Sequence, residues 1–422
     1  MYLLYKYLSI LLSPLVDLYI LIRLLLGKED IKRIRERFAL PTVDRPNGDV
    51  IWILCASVGE SVASFPLIKK LLEKYDNKIT ILITSTTKTS AKLIVDKIKN
   101  NGNIIHQYTP IDKYYTILRF IKFWKPIALI NIESEIWPNT IILSHKYCKK
   151  VIIATAKMSN KSFRRWKKFK MLRKTIFKAI DICYPQSKDD NIKLKKLGID
   201  NCVIYGNLKF ETNKVVINQE YLKELQDSIK DRKFILFASA HIEEIEYILK
   251  LKQKLKDILF IIAIRHPDKS CDFYNFFIRN GYSVNRKSKC ERIAEDTDIY
   301  IYDEMGEMGT LYTLSDIVVM CGSFVKNIGG HNPIEVAQCS CAIITAPFIK
   351  NNSSLFRELE KNDACIINKN RKKVINEMFI KLNELLNDDV KVKILKTNAF
   401  NILQKFSHIA ENMAVDIKKQ LE

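Results

Sequence analysis

At 422 residues and 47% hydrophobic composition, the chain is long enough for two or three domains with buried cores, and it is not a disordered polymer. The formal net charge of +22 calls for an acidic partner, or at least tolerance of one. Ten cysteines form no CxxC and no Cys/His spacing suited to zinc, so no metal site is expected and the thiols read as free, packed groups of a reducing cytoplasm.

Residues 1–26, "MYLLYKYLSILLSPLVDLYILIRLLL", are mostly apolar but are interrupted by Lys6, Pro14, Asp17 and Arg23. A spanning helix wants ~20 continuous apolar residues. The segment therefore reads as an uncleaved membrane-anchor helix (residues 1–27), either lying on the bilayer or spanning it weakly, with a buried core helix as the alternative. Lys28, Lys32, Arg33, Arg35 and Arg37 behind it put the rest of the chain on the cytoplasmic side.

Beyond the anchor, short apolar runs alternate with lysine-rich amphipathic stretches. Strands are expected at 50–55, 79–84, 127–132, 151–155 and 181–185, and again at 234–239, 258–264, 316–320 and 342–345. This βαβ rhythm predicts two doubly wound α/β domains, 28–210 and 211–422, facing a cleft, with the boundary in the polar stretch 211–233. Within the first domain, "KSFRRWKKFKMLRKTIFK" (161–178) reads as one basic-aromatic helix for a membrane surface or nucleic acid, or as an ordinary solvated basic face.

Several loops at predicted strand ends carry chemistry. "ILCASVGESVASF" (53–65) reads as strand, turn, helix with Glu60 in the turn. That carboxylate suits a ligand crevice, or else a helix-start acid favoured by the dipole. "NIESEIWPN" (131–139) ends a strand on Glu133 and Glu135, and "GNLKF" (206–210) places Lys209 after another. "AIRHPDK" (263–269) offers Arg265 and His266, and "DEMGEMGTLYTLSD" offers Gly306, Glu307 and Met308 before a helix. In "CGSFVKNIGGHNPIEVAQ" (321–338), Asn332 as N-cap and Pro333 as first helical residue would open a helix whose free N–H groups suit a phosphate, with Glu335 available for a ribose diol. A plain glycine-rich turn is the competing reading.

Taken in order, "SVGE", "TSTTKTSA", "ESEIWPN", "AKMSNKS", "GNLKF", "ASAHIEE", "IRHPDK", "MGEM", "CGSFV" and "GGHNPIE" resemble the bacterial 3-deoxy-D-manno-octulosonic acid (Kdo) transferases from about residue 2 to beyond 347. The remainder resembles the family only in helix pattern. The resemblance implies a GT-B fold, α/β with two Rossmann-like domains, and transfer of Kdo from CMP-Kdo to the lipid A precursor lipid IVA without metal or cofactor. It implies Glu60 as general base, with Glu133 and Lys209 as transition-state stabilisers. CMP contacts would come from Arg265, His266, Gly306, Glu307, Met308, Asn332, Pro333, Ile334 and Glu335. The anchor and the basic segment would suit an anionic glycolipid in the inner membrane. Other readings left open are another GT-B nucleotide-sugar transferase or epimerase, a non-catalytic binder of phosphorylated lipid, and a nucleic-acid binder favoured only by charge.

Overall fold

The computed structural model of the protein describes residues 2–99, 101–133, 135–211, 215–406 and 408–422. The chain divides into two compact units, Met1–Glu211 with His408–Glu422, and Thr212–Ser407. The last helix thus belongs to the first unit and not, as the sequence reading had it, to the second. The polar stretch expected to hold the boundary lies partly outside the described residues.

The first unit is built on six parallel strands: β1 (Val50–Cys55), β2 (Thr80–Ser85), β3 (Ile104–Tyr108), β4 (Pro126–Ile132), β5 (Lys150–Ala156) and β6 (Ile182–Pro185). Their spatial order is β3-β2-β1-β4-β5-β6, the doubly wound arrangement. Strands β1, β2 and β5 are buried almost throughout, which is why they read as continuous apolar runs. Trp52 and Trp124 are fully buried, and Trp52 packs on Phe120 with ring centroids 4.6 Å apart. The Trp52 indole N–H donates to Thr84 Oγ1 at 2.9 Å, so no polar atom of that ring is stranded. The first three helices are α1 (Tyr2–Leu11), α2 (Ser13–Leu25) and α3 (Val58–Lys74), and the last helix of the chain, Ile409–Leu421, lies on α3. Glu411 bridges Lys70 and Lys74 of α3, and Asp416 accepts from the Tyr184 hydroxyl at 3.1 Å.

The second unit holds seven parallel strands: β7 (Phe234–Ala240), β8 (Leu259–Ile264), β9 (Val284–Arg286), β10 (Ile299–Tyr302), β11 (Ile317–Met320), β12 (Ala342–Thr345) and β13 (Cys365–Ile367). Their order is β13-β12-β11-β7-β8-β10-β9. In both sheets the order reverses between neighbouring strands, β1/β4 in the first and β7/β11 in the second. Ligands of open α/β sheets bind beyond the carboxyl ends of such strands.

Two sequence expectations need correction. The single anchor helix is a pair, α1 and α2, bent by 56° at Leu12, because Pro14 suits a helix start and not an interior. Among the described residues no single helix is long and apolar enough to cross a membrane, although the bent pair together has the length and composition. The basic segment 161–178 is also two helices, Asn160–Lys168 and Lys170–Lys178, broken at Phe169 (φ −99°, ψ 57°). The break lets Trp166 meet Phe177 edge-on at 5.3 Å. In one straight helix those residues would be separated by about 16 Å along the axis. Of the basic residues behind the anchor, Arg37 is buried against Glu29 and Arg33 pairs with Glu36, which leaves Lys28, Lys32 and Arg35 exposed.

The N-terminal helices dock through polar groups. The helix Pro138–Tyr147 has no side-chain cap of its own, and Asp112 supplies one from a distant loop. Its carboxylate accepts from the Thr140 N–H and hydroxyl, both at 2.7 Å, from the Asn139 N–H at 3.2 Å and from the Tyr5 hydroxyl at 3.0 Å. Burial still pushes this carboxyl up to about 6. Lys6 sits 4.0 Å over the Tyr114 ring, and Lys113 pairs with Asp17 at 2.6 Å. Leu3, Leu4, Leu11, Leu15 and Leu25 point the other way and are exposed. Asp112→Ala should leave the Asn139 and Thr140 donors unmet, costing about 1–3 kcal/mol locally. Hydrogen exchange at those two amides should then quicken by roughly 10–100-fold while core β1 amides stay protected; unchanged exchange would mean that Asp112 caps nothing.

Candidate active site

Beyond the end of β1, Ser57 opens α3 as N-cap and accepts from the Glu60 N–H at 3.3 Å. The Glu60 carboxylate in turn accepts from the Ala56 N–H at 2.6 Å and the Ser57 hydroxyl at 3.1 Å. This is close to a capping box, in which serine and glutamate three residues apart exchange bonds. Glu60 therefore does serve its helix start, and it is also buried, with 7% of its surface exposed. Burial is the main reason its carboxyl is raised to about 7, with Glu133 and then Glu135 adding like-charge repulsion against the lowering effect of its two donors. A carboxylate so placed changes protonation near neutral pH, the range in which a general base works best.

Glu133 stands at the end of β4, next to β1 in the sheet. It adopts φ +63°, a left-handed conformation uncommon for glutamate and costly enough to be kept only where neighbours enforce it. Its N–H is held by the Ala154 carbonyl at 2.9 Å. Lys209 forms an ion pair with Glu133, and its chain runs along Gly59, where an added Cβ would lie 3.8 Å from Lys209 Cε. The three residues named from the sequence as catalytic, Glu60, Glu133 and Lys209, thus come together in the first unit. Glu135 turns to Trp137, accepting its indole N–H at 2.9 Å.

In the second unit, Arg265 and His266 follow β8 and are exposed, with the Arg265 N–H held by Ala240 O at 2.8 Å. Next to them lie two histidines to which the sequence reading gave no role. His241 follows β7 and His331 lies in the loop after β11. Their Nε2 atoms are 2.8 Å apart, and the rings meet head to head, nearly coplanar, with centroids 5.0 Å apart and 5° between planes. His266 meets the His241 ring edge-on at 5.4 Å. Glu244, fully buried, ties the two loops by accepting from the N–H groups of Gly322 at 2.7 Å, Phe324 at 3.0 Å and His241 at 3.2 Å. Both motifs were visible as "SAHIEE" and "GGHN", but nothing in spacing tells that loops 90 residues apart adjoin.

The remaining donor candidates are distributed around this cluster. Asn332 and Glu335 are exposed, and Pro333 and Ile334 are buried. The helix expected to start at Pro333 begins at Ile334 and has only five residues, and the Asn332 side chain already accepts the Ile334 N–H at 3.1 Å. Its start is therefore a weaker anion trap than the sequence implied. Gly306 (φ +115°) precedes the helix Met308–Leu314, which packs on Ile334–Gln338. Glu307 accepts from Thr310 and Asn218 at 2.8 and 3.2 Å, and lines a polar pocket of about 290 Å³ with Tyr221, Lys287 and Glu304.

Comparison with known proteins gives these groups a common setting. Residues 32–212 match the family model for 3-deoxy-D-manno-octulosonic-acid transferase (kdotransferase). A protein of Rickettsia bellii named 3-deoxy-D-manno-octulosonic acid transferase is 35% identical over 420 residues, covering 99% of each chain. One of the same name from Haemophilus influenzae is 31% identical over 340 residues, covering 78% of each. Among solved structures, UDP-GlcNAc 2-epimerase from Neisseria meningitidis superposes with a TM-score of 0.55 at 12% identity, covering 88% of this chain and 100% of that one. The spinosyn rhamnosyltransferase SpnG does so with a TM-score of 0.55 at 8% identity, again covering 88% and 100%. These two carry the fold alone, GT-B-like with two Rossmann-like halves. With near full-length identity above 30%, this chain belongs to the 3-deoxy-D-manno-octulosonic acid transferase family and is a glycosyltransferase.

Proposed function

We propose that this enzyme transfers Kdo, with inversion, from CMP-Kdo to the lipid IVA acceptor of lipopolysaccharide inner-core synthesis, at the cytoplasmic face of the inner membrane. The observation that carries the reading is Glu60: a buried carboxylate poised near pH 7 at the strand-order reversal of the first sheet. As general base it takes the acceptor hydroxyl proton. The hydroxyl oxygen then bonds the anomeric carbon, and the electron pair of the breaking C–O bond stays with the CMP phosphate. Glu133 raises Glu60, and Lys209 limits that rise by pairing with Glu133, so the trio sets the base strength. Arg265 and His266 would hold the donor phosphate, Glu335 the ribose, and Asn332, Pro333, Ile334 and Gly306, Glu307, Met308 the remainder of CMP. The names of the relatives support the donor sugar, and the exposed apolar N-terminal face supports an acceptor that lies in a membrane.

Membrane attachment is proposed to be monotopic. The polar groups of α1 turn inward to Asp112, Asn139 and Tyr114, leaving an outward face of Leu3, Leu4, Tyr7, Leu8 and Leu11. Such a face suits the headgroup–acyl boundary, and the basic helices 160–178 add attraction to anionic lipid.

Three results are expected. In steady-state assays, Glu60→Gln should slow Kdo transfer by ~10²–10⁴-fold, with CMP affinity by calorimetry unchanged. The wild-type rate should rise with pH through about 7 and level off above, because only the ionised carboxylate accepts a proton. Lys209→Met, by leaving Glu133 uncompensated, should shift that midpoint upward; a Glu60→Gln enzyme with normal turnover would defeat the base assignment. Second, Glu335→Ala should weaken CMP binding by ~1–3 kcal/mol, and unaltered affinity removes Glu335 from the donor site. Third, a chain lacking residues 1–26 should fold but float away from anionic vesicles that bind the full chain; a truncated chain that misfolds instead makes the segment core.

A further inference from the structure

The two facing imidazoles are a specific device and not a general basic patch. A neutral imidazole carries one N–H and one lone pair, and an imidazolium carries two N–H groups and no lone pair. The 2.8 Å contact between His241 Nε2 and His331 Nε2 therefore needs one protonated and one bare nitrogen. The pair can hold at most one extra proton without breaking this bond. Its geometry is fixed from both sides of the strand-order reversal. Glu244 holds the His241 and Gly322 backbones together, and Gly322 (φ +72°) leaves room for the His331 ring: an added Cβ would lie 2.7 Å from His331 Cδ2.

The surroundings oppose charging of the pair. Burial and the neighbouring His241, Arg265 and His266 hold His331 down to about 4. His241 is lowered by burial, then by His266 and Arg265, and only Glu243 works the other way. Glu244, the remaining acid on that turn, is itself raised by burial, with its oxygens committed to backbone donors. Arg265 with three imidazoles thus forms a cluster of donors with one exposed carboxylate, Glu243, nearby, which is the electrostatic complement of a phosphate.

We propose that the His241–His331 pair grips the phosphate of the donor nucleotide and takes up a proton as that phosphate binds, an inference that rests on the donor-site reading above. The proton comes from solvent and lands on an imidazole nitrogen; uptake makes or breaks no other bond. When the sugar C–O bond breaks, the phosphate goes from singly to doubly charged. The proton already held offsets that second charge where it forms.

The test is calorimetry of CMP binding to the full chain at pH 7, in buffers of different ionisation enthalpy, with cytidine as the phosphate-free control. Uptake of about 0.5–1 proton per CMP is expected for the wild type, and none with cytidine. His331→Gln and His241→Gln should each bring uptake near zero and weaken CMP at least about tenfold. Because a nucleotide phosphate itself ionises near pH 6, binding governed by the dianion alone would tighten toward pH 7. The proposal requires the opposite sign: wild-type CMP affinity falling by up to about tenfold per unit between pH 6.5 and 8. That measurement needs no variant and so survives a misfolded substitution. CMP binding without proton uptake, or uptake undiminished in both folded variants, overturns this inference alone. A wild type that does not bind CMP overturns the donor-site reading as well.

Discussion

The reversal of strand order in each sheet is the constraint on which the rest depends. A parallel sheet needs crossover helices, and where neighbouring strands send theirs to opposite faces, the ground beyond their carboxyl ends stays uncovered. In the first sheet those strands are β1 and β4, and in the second β7 and β11. Glu60 follows β1 and Glu133 ends β4; His241 and Glu244 follow β7, and Gly322 and His331 follow β11. Backbone irregularity gathers at strand ends too. Glu133, Thr155 and Ser239 adopt positive φ at or near the ends of β4, β5 and β7, and the β7–β8 register slips beside Ser239. Strain of this kind persists only where the surroundings over-determine it.

Within that frame, three enclosed carboxylates face the same desolvation and end differently. Asp112 has four donors, and Glu244 has backbone N–H groups from two loops, so each stays bound to structure. Glu60 has two donors and a second carboxylate, Glu133, among its neighbours. That like charge adds to the burial that already raises Glu60. Glu133 in turn is paired with Lys209, a cation of the opposite sign to its own charge.

Much of this was readable in the sequence. Strands buried on both faces declare themselves as apolar runs, so β1, β2, β4, β5, β7, β8, β11 and β12 are found close to where they were expected. The short edge strand β9 (Val-Asn-Arg) has too few apolar residues to register, and β3 carries His106 and Gln107 at buried positions. The β10 run Ile-Tyr-Ile-Tyr carries the same apolar signal as the strands that were expected. Helix breaks were harder: continuous amphipathic spacing over 161–178 hides the turn at Phe169, which depends on Trp166 finding Phe177. The buried network of Arg33, Arg37, Glu29 and Glu36 likewise looks, in sequence, like a plain basic flank. The motif residues Glu60, Glu133 and Lys209 could be named in advance, but their meeting could not, since Lys209 pairs with Glu133 only through the fold.

The choice of imidazoles beside Arg265 has a physical logic of its own. On the proposed phosphate grip, a second permanent cation would hold the doubly charged phosphate of the departing nucleotide more tightly than the singly charged phosphate of the donor, and so slow product release. It would also stand uncompensated in the empty site, at the cost that buried charge always carries. As proposed here, an imidazole pair that burial and neighbouring cations keep uncharged gains charge only against an anion. The charge it then holds is one proton, because the shared Nε2 contact cannot accommodate a second. The stabilisation grows as the second phosphate charge develops during bond cleavage, and it is reversed when the nucleotide leaves and the proton returns to solvent.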